Sequence, residues 1–210
     1  MTTRAEGRAA AERLVDVSRE TWERLDRLVA ALDKWQATTN LVAPNTLDTV
    51  WTRHVADSVQ LVALAPGAPK AWVDLGSGGG FPGLVVAAMI GDETRVHLVE
   101  SNGKKAAFLR EGARAIGVRV EVHAARAEDV VGTLDADVVS ARALAPLETL
   151  VRLAAPLLKS GSVGLFPKGR EAEAELTVTA KSWRLDASLH PSLTEPEARI
   201  VRIDSFLGPR

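Results

Sequence analysis

Five glycines fall within eight residues, Gly76 to Gly83, between an apolar run at Ala71–Leu75 and another at Leu84–Ile90. Glycine accepts positive φ and lets a ligand approach the backbone with no Cβ in the way. Strand, glycine loop and helix in that order form the first unit of a nucleotide-binding α/β fold. Pro82 suits the start of the helix, where a missing N–H costs nothing. A tight turn that binds nothing is the plainer alternative, but it needs fewer glycines. Register separates the cofactor classes. Gly78, Gly80 and Gly83 spell G-x-G-x-x-G, yet a dinucleotide loop begins directly after the strand, and there the third glycine falls on Phe81.

From the strand end the loop reads Asp74-x-Gly76-x-Gly78-x-Gly80. An acidic residue two places before the first glycine is the pattern of class I methyltransferases that use S-adenosylmethionine (SAM). SAM carries a sulfonium charge and a carboxylate, which suit backbone donors and nearby carboxylates. In such folds the ligand lies beyond the carboxyl ends of the strands. Glu100 ends the next strand, 24 residues after Gly76, close to the roughly 20 expected of a ribose-binding carboxylate; its other reading is a helix cap. Ala127 and Glu128 follow the third strand, where adenine is held, although Glu128 also reads as a solvated helix start. Arg142, after the fourth strand, is placed to pair with either a cofactor carboxylate or Glu128.

The elements that must position these residues follow from periodicity. Residues 8–36 carry Leu14, Trp22, Leu25, Leu28, Val29, Leu32 and Trp35 at helical spacing. A second helix is expected over residues 46–64, with Arg53, His54, Asp57 and Ser58 set unusually in its apolar pattern. Trp51 reads as core, with base stacking as its alternative. The Pro/Gly punctuation of residues 65–69 marks a boundary, giving a helical extension at 1–66 and a cofactor domain at 67–210. Strands are expected at 71–75, 96–99, 118–122, 138–140, 163–166, 184–190 and 199–203, with helices between most of them. That alternation predicts a mostly parallel, seven-stranded Rossmann-like sheet covered on both faces.

Composition narrows the chemistry. The 210 residues include 46% hydrophobic and 25% charged residues and no cysteine, so disulfides, thiol nucleophiles and cysteine-ligated metals are excluded. Four scattered histidines make no metal-ligand spacing, and no metal is expected. No apolar run reaches the roughly 18 residues of a membrane helix. A monomeric cytoplasmic protein is the expectation. The net charge of −1 means that any nucleic-acid contact must be a local patch.

The run Asp-Leu-Gly-Ser-Gly-Gly-Gly-Phe-Pro-Gly at 74–83 resembles the loop of bacterial glucose-inhibited division protein B. Asn40-Leu41, Arg53-His54 with Asp57-Ser58, Ser140-Ala141-Arg142-Ala143 and Phe166-Pro167-Lys168-Gly169 match as well. The resemblance spans about residues 30–170. It implies a class I SAM-dependent methyltransferase acting on N7 of a guanine in 16S ribosomal RNA or the small ribosomal subunit. It places cofactor contacts on Gly76, Phe81, Ala127, Glu128 and Arg142, beside Asp74, Gly78 and Glu100 from the strand-end reading. Guanine N7 has a free lone pair, so no catalytic base is needed. Arg53, His54, Lys168 and Arg170 are then the candidates for contacting RNA or orienting the base. The rival readings are a SAM methyltransferase of a small molecule, which needs a closed apolar pocket, an NAD-binding oxidoreductase, which the register disfavours, and a non-enzymatic binding module.

Overall fold

Ala71–Leu75 (β1) is buried along its whole length, as befits a central parallel strand covered on both faces. A computed structural model describes residues 4–210 and places β1 between β2 (Arg95–Val99) and β4 (Val138–Ala141). With β3 (Glu121–His123), β5 (Val163–Lys168), β6 (Trp183–Pro191) and β7 (Arg199–Pro209) the seven-stranded sheet has the order β3-β2-β1-β4-β5-β7-β6. Strands β1 to β5 run parallel, and β7 is antiparallel to both β5 and β6. The order reverses between β1 and β4, where two crossovers leave in opposite directions and open a crevice. This is the Rossmann-like class I methyltransferase topology.

Helices α4 (Gly83–Ile90) and α5 (Gly103–Ile116) cover one face, and α7 (Leu147–Lys159) with α6 (Ala127–Val130) covers the other. Side chains of β1 alternate accordingly. Trp72 packs with Leu84, Phe108 and Leu109, whereas Val73 and Leu75 pack with Leu150, Val151 and Ala154. A last helix, α8 (Ala172–Ser182), lies against α7 and the β6–β7 hairpin. Among the described residues no helix is long and apolar enough to cross a membrane.

The N-terminal region is less regular than its periodicity suggests. The helix expected over residues 8–36 is two, α1 (Arg4–Leu14) and α2 (Arg19–Gln36), because Ser18 takes an extended conformation and caps α2 through Thr21 N. Leu25, Leu28 and Leu32 enter the core shared with α4 and α5, while Leu14 turns outward. The expected second helix is broken up too. A π-helical turn, Trp51–Ala56, leads into the single-turn α3 (Asp57–Val59). The wider turn exposes Arg53 yet buries His54 and Asp57 together. Such π-turns recur at functional sites. Trp51 is core, 6.1 Å from the Trp22 ring centroid.

Candidate functional site

The glycine loop is held from behind. Asp74, fully buried, accepts from Ser140 Oγ at 2.8 Å and from the Gly83 amide at 3.2 Å, and Trp72 Nε1 donates to the same Ser140 at 2.9 Å. The carboxylate therefore ties β1 to β4 and to the start of α4. It is turned away from the cavity beyond the loop and lines no part of it, which corrects its expected role as a cofactor ligand. Burial pushes the Asp74 carboxyl up to about 6, against the pull of the Ser140 hydrogen bond. The folded state thus holds a proton that the unfolded chain releases nearer pH 4, so this group's contribution to stability falls as pH rises from about 4 to about 6. Asp74→Asn should remove that slope, worth on the order of 3 kcal/mol, from unfolding free energies measured across this range. An unchanged slope would show that Asp74 stays ionised.

Beyond the loop lies a cavity of about 310 Å³ lined by Gly76, Gly78, Glu100, Lys105, Ala127, Glu128, Ala143 and Leu144, among others. Gly76 and Gly78 have φ of +67° and +51°, which few other residues adopt. Glu100 spans the loop and the strand end, accepting from Gly78 N at 3.0 Å and Asn102 N at 2.7 Å. Each of its oxygens keeps a further acceptor position for a ligand hydroxyl. Glu128 is exposed in the first turn of α6. Glycine backbone, a ribose-ready carboxylate and a small-residue floor fit the SAM expectation.

A second cavity, about 200 Å³, lies on the other side of Ala143 and is lined by Arg53, Asp57, Arg142, Lys168, Glu175 and Arg199, among others. Ala143 lines both cavities and has a φ of 54°, which is unusual outside glycine. Arg142 neither reaches Glu128 nor lines the first cavity. It donates to His54 Nδ1 at 2.6 Å, to the Arg53 carbonyl at 3.0 Å and to Asp57 at 3.4 Å, and its guanidinium lies 5.7 Å from the Phe81 ring centroid. Asp57 is the partner that sequence spacing did not suggest, because it comes from the N-terminal region. Phe81 is buried too, stacked on His54 at 5.1 Å. It acts through that stack rather than at the cavity wall.

His54 is not the solvent-facing cation expected of an RNA contact. Burial, with the charges of Arg142 and Arg53, lowers its pKa to about 3. Because Arg142 donates to Nδ1, the proton sits on Nε2 and is donated to Thr46 Oγ1 at 2.8 Å. A neutral ring with both nitrogens engaged positions Arg142. It is not available as a base. Lys168 reaches the second cavity but pairs with Glu175 at 2.7 Å, and Arg170 is exposed outside the cavity lining. Arg199, at the start of β7, was not singled out from the sequence; the onset of a half-exposed strand beside the cleft was its signal.

Residues 21–201 match the family model described as rRNA small subunit methyltransferase G. The chain belongs to this family. It is 54% identical over 197 residues to ribosomal RNA small subunit methyltransferase G of Methylobacterium nodulans, covering 91% of this chain and 92% of the relative. The namesake of a Bradyrhizobium strain (BTAi1) is 52% identical over 204 residues, covering 95% and 91%. The fold also resembles an O-methyltransferase from Bacillus cereus solved with SAH, with TM-score 0.59, 16% identity and coverage of 97% and 98%.

Proposed function

We propose that this chain transfers the methyl group of SAM to N7 of a guanine in 16S ribosomal RNA. One observation carries the division of labour. The glycine-lined cavity and the charged cavity share Ala143, so a cofactor in the first and a base in the second meet there. When bound, SAM supplies a methyl group on a positively charged sulfur. Gly76 and Gly78 offer it backbone, Glu100 the acceptors for ribose hydroxyls, and Ala127 with Glu128 the adenine side. Residues 67–210 supply this half. The helical extension, which ends at residue 66, supplies Arg53, His54 and Asp57 to the other. Phe81, His54 and Arg142 form one packed unit that fixes the wall between them.

The chemistry asks for alignment rather than proton transfer. Guanine N7 attacks with its own lone pair, and holding the partners in line is worth roughly 7–11 kcal/mol. Neutral His54 and hydrogen-bonded Asp74 agree with a site that has no base to offer. The charged, open second cavity also suits a nucleic acid better than the closed apolar pocket of a small-molecule methyltransferase. The target guanine must be splayed out to reach it. We take the protein to act as a monomer on naked RNA or on the small subunit. The test is methyl transfer from labelled SAM to both substrates, with the modified base mapped. A single N7-methylguanine is expected, with a single-turnover rate nearly flat between about pH 7 and 8.5, above the range in which Asp74 titrates, because no titrating base participates. Label at another atom, or a rate climbing with an apparent pKa near 7, defeats this reading.

The exposed cations beside the cleft are the phosphate contacts. Lys168 is neutralised by Glu175, which leaves Arg53 and Arg170. Replacing both with Ala should raise the RNA Michaelis constant and reduce the log–log salt slope by about 0.7 per lost contact, with SAM affinity unmoved. An unchanged slope would mean that RNA docks elsewhere.

A further inference from the structure

The pairing register of β2 and β3 sets His97 opposite Glu121, with His123 two residues further along the same face. Glu121 and His123 share β3, and only the sheet brings His97, more distant in the sequence, beside them. His97 Nδ1 lies 3.1 Å from His123 Nε2 and 3.5 Å from a Glu121 carboxylate oxygen. One ligand atom from each of the three lies within 4.8 Å of the others. A tetrahedral zinc ion with bonds of about 2.0–2.1 Å holds its ligand atoms about 3.3–3.4 Å apart. The two measured separations bracket that edge. Two imidazoles and a carboxylate are also a donor set that zinc favours, with water in the fourth position.

We propose that His97, Glu121 and His123 bind one Zn²⁺ ion. The site is separate from the methyl-transfer cleft, since none of the three residues lines either cavity. The His97 side chain is 7% exposed and that of Glu121 61%, so the ion enters from solvent past the carboxylate. An imidazole–imidazole hydrogen bond by itself would account for the 3.1 Å contact, but it has no need of the carboxylate. Arg95, two residues before His97 on β2, is the charge that opposes the ion, and Glu121 offsets it. The ion would add three bonds across the pairing of β2 with a three-residue edge strand. That strand leads directly into Ala125–Glu128 of the cofactor cavity.

The test is calorimetric titration of tag-free, chelator-stripped full chain with Zn²⁺, and Co²⁺ titration read by its visible ligand-field bands. One equivalent of Zn²⁺ and a tetrahedral Co²⁺ spectrum are expected. His97→Asn, Glu121→Gln and His123→Asn should each weaken uptake by about tenfold or more. His190→Asn, which alters the remaining histidine away from the cleft, should change nothing. If His97→Asn fails to fold, Glu121→Gln still decides, because that side chain is mostly exposed. Absence of saturable uptake, or uptake that Glu121→Gln and His123→Asn leave unchanged, overturns the site.

Discussion

Gly76→Val is expected to abolish SAM binding, with affinity lost by at least about a hundredfold in calorimetric titration. Two effects combine. A branched residue at φ +67° costs about 1–3 kcal/mol of backbone strain. The added Cβ would also lie 2.7 Å from Leu144 Cδ1, so Leu144 must move or the loop must open where the cofactor meets the backbone. Gly67→Val separates the two effects. Gly67 has a comparable φ of +50°, but beyond its chain neighbours no heavy atom lies within 4 Å of its added Cβ. It should lose stability and keep SAM affinity. Wild-type affinity in Gly76→Val would remove the glycine loop from the cofactor site.

Arg142→Ala should cost both stability and rate. The guanidinium is buried between His54, Asp57 and Phe81, so its removal strands a carboxylate whose side chain is only 10% exposed. Breaking a buried pair from one side costs about 3–5 kcal/mol. The lower end is expected, because Asp57 keeps donors from Gln60 and Thr194. Single-turnover methyl transfer, measured where the variant is fully folded, should fall by about a hundredfold through loss of positioning. Arg142→Lys should recover little, since one ammonium cannot reproduce the planar fork. A stability loss below about 1 kcal/mol with an ordinary rate would make Arg142 incidental.

What the sequence made legible was local or periodic. The loop register, the strand-end position of Glu100 and the order of strands and helices all follow from short-range patterns. Asp74 was marked by its spacing before Gly76, but spacing cannot distinguish a residue facing the ligand from one bracing the loop. Only the partnership with Ser140, brought alongside by the β1–β4 pairing, decides that. His54 and Arg142 are 88 residues apart, and a π-helical turn that no apolar periodicity announces puts them together. The break between α1 and α2 was hidden because Leu14 and Trp22 keep helical spacing across a Ser18 cap. His97 and His123 looked scattered for the same reason as Asp57: long-range register is not written in spacing.

Ala143 has a consequence for how the two substrates sense one another. Its backbone, held at a positive φ, is wall to both cavities. Whatever free energy one occupant contributes by favouring that geometry is felt by the other as a coupling, and coupling is reciprocal. The factor by which bound SAM tightens RNA must therefore equal the factor by which bound RNA tightens SAM. Either order of addition closes the same cycle, so whichever substrate binds first hands the same coupling to the second.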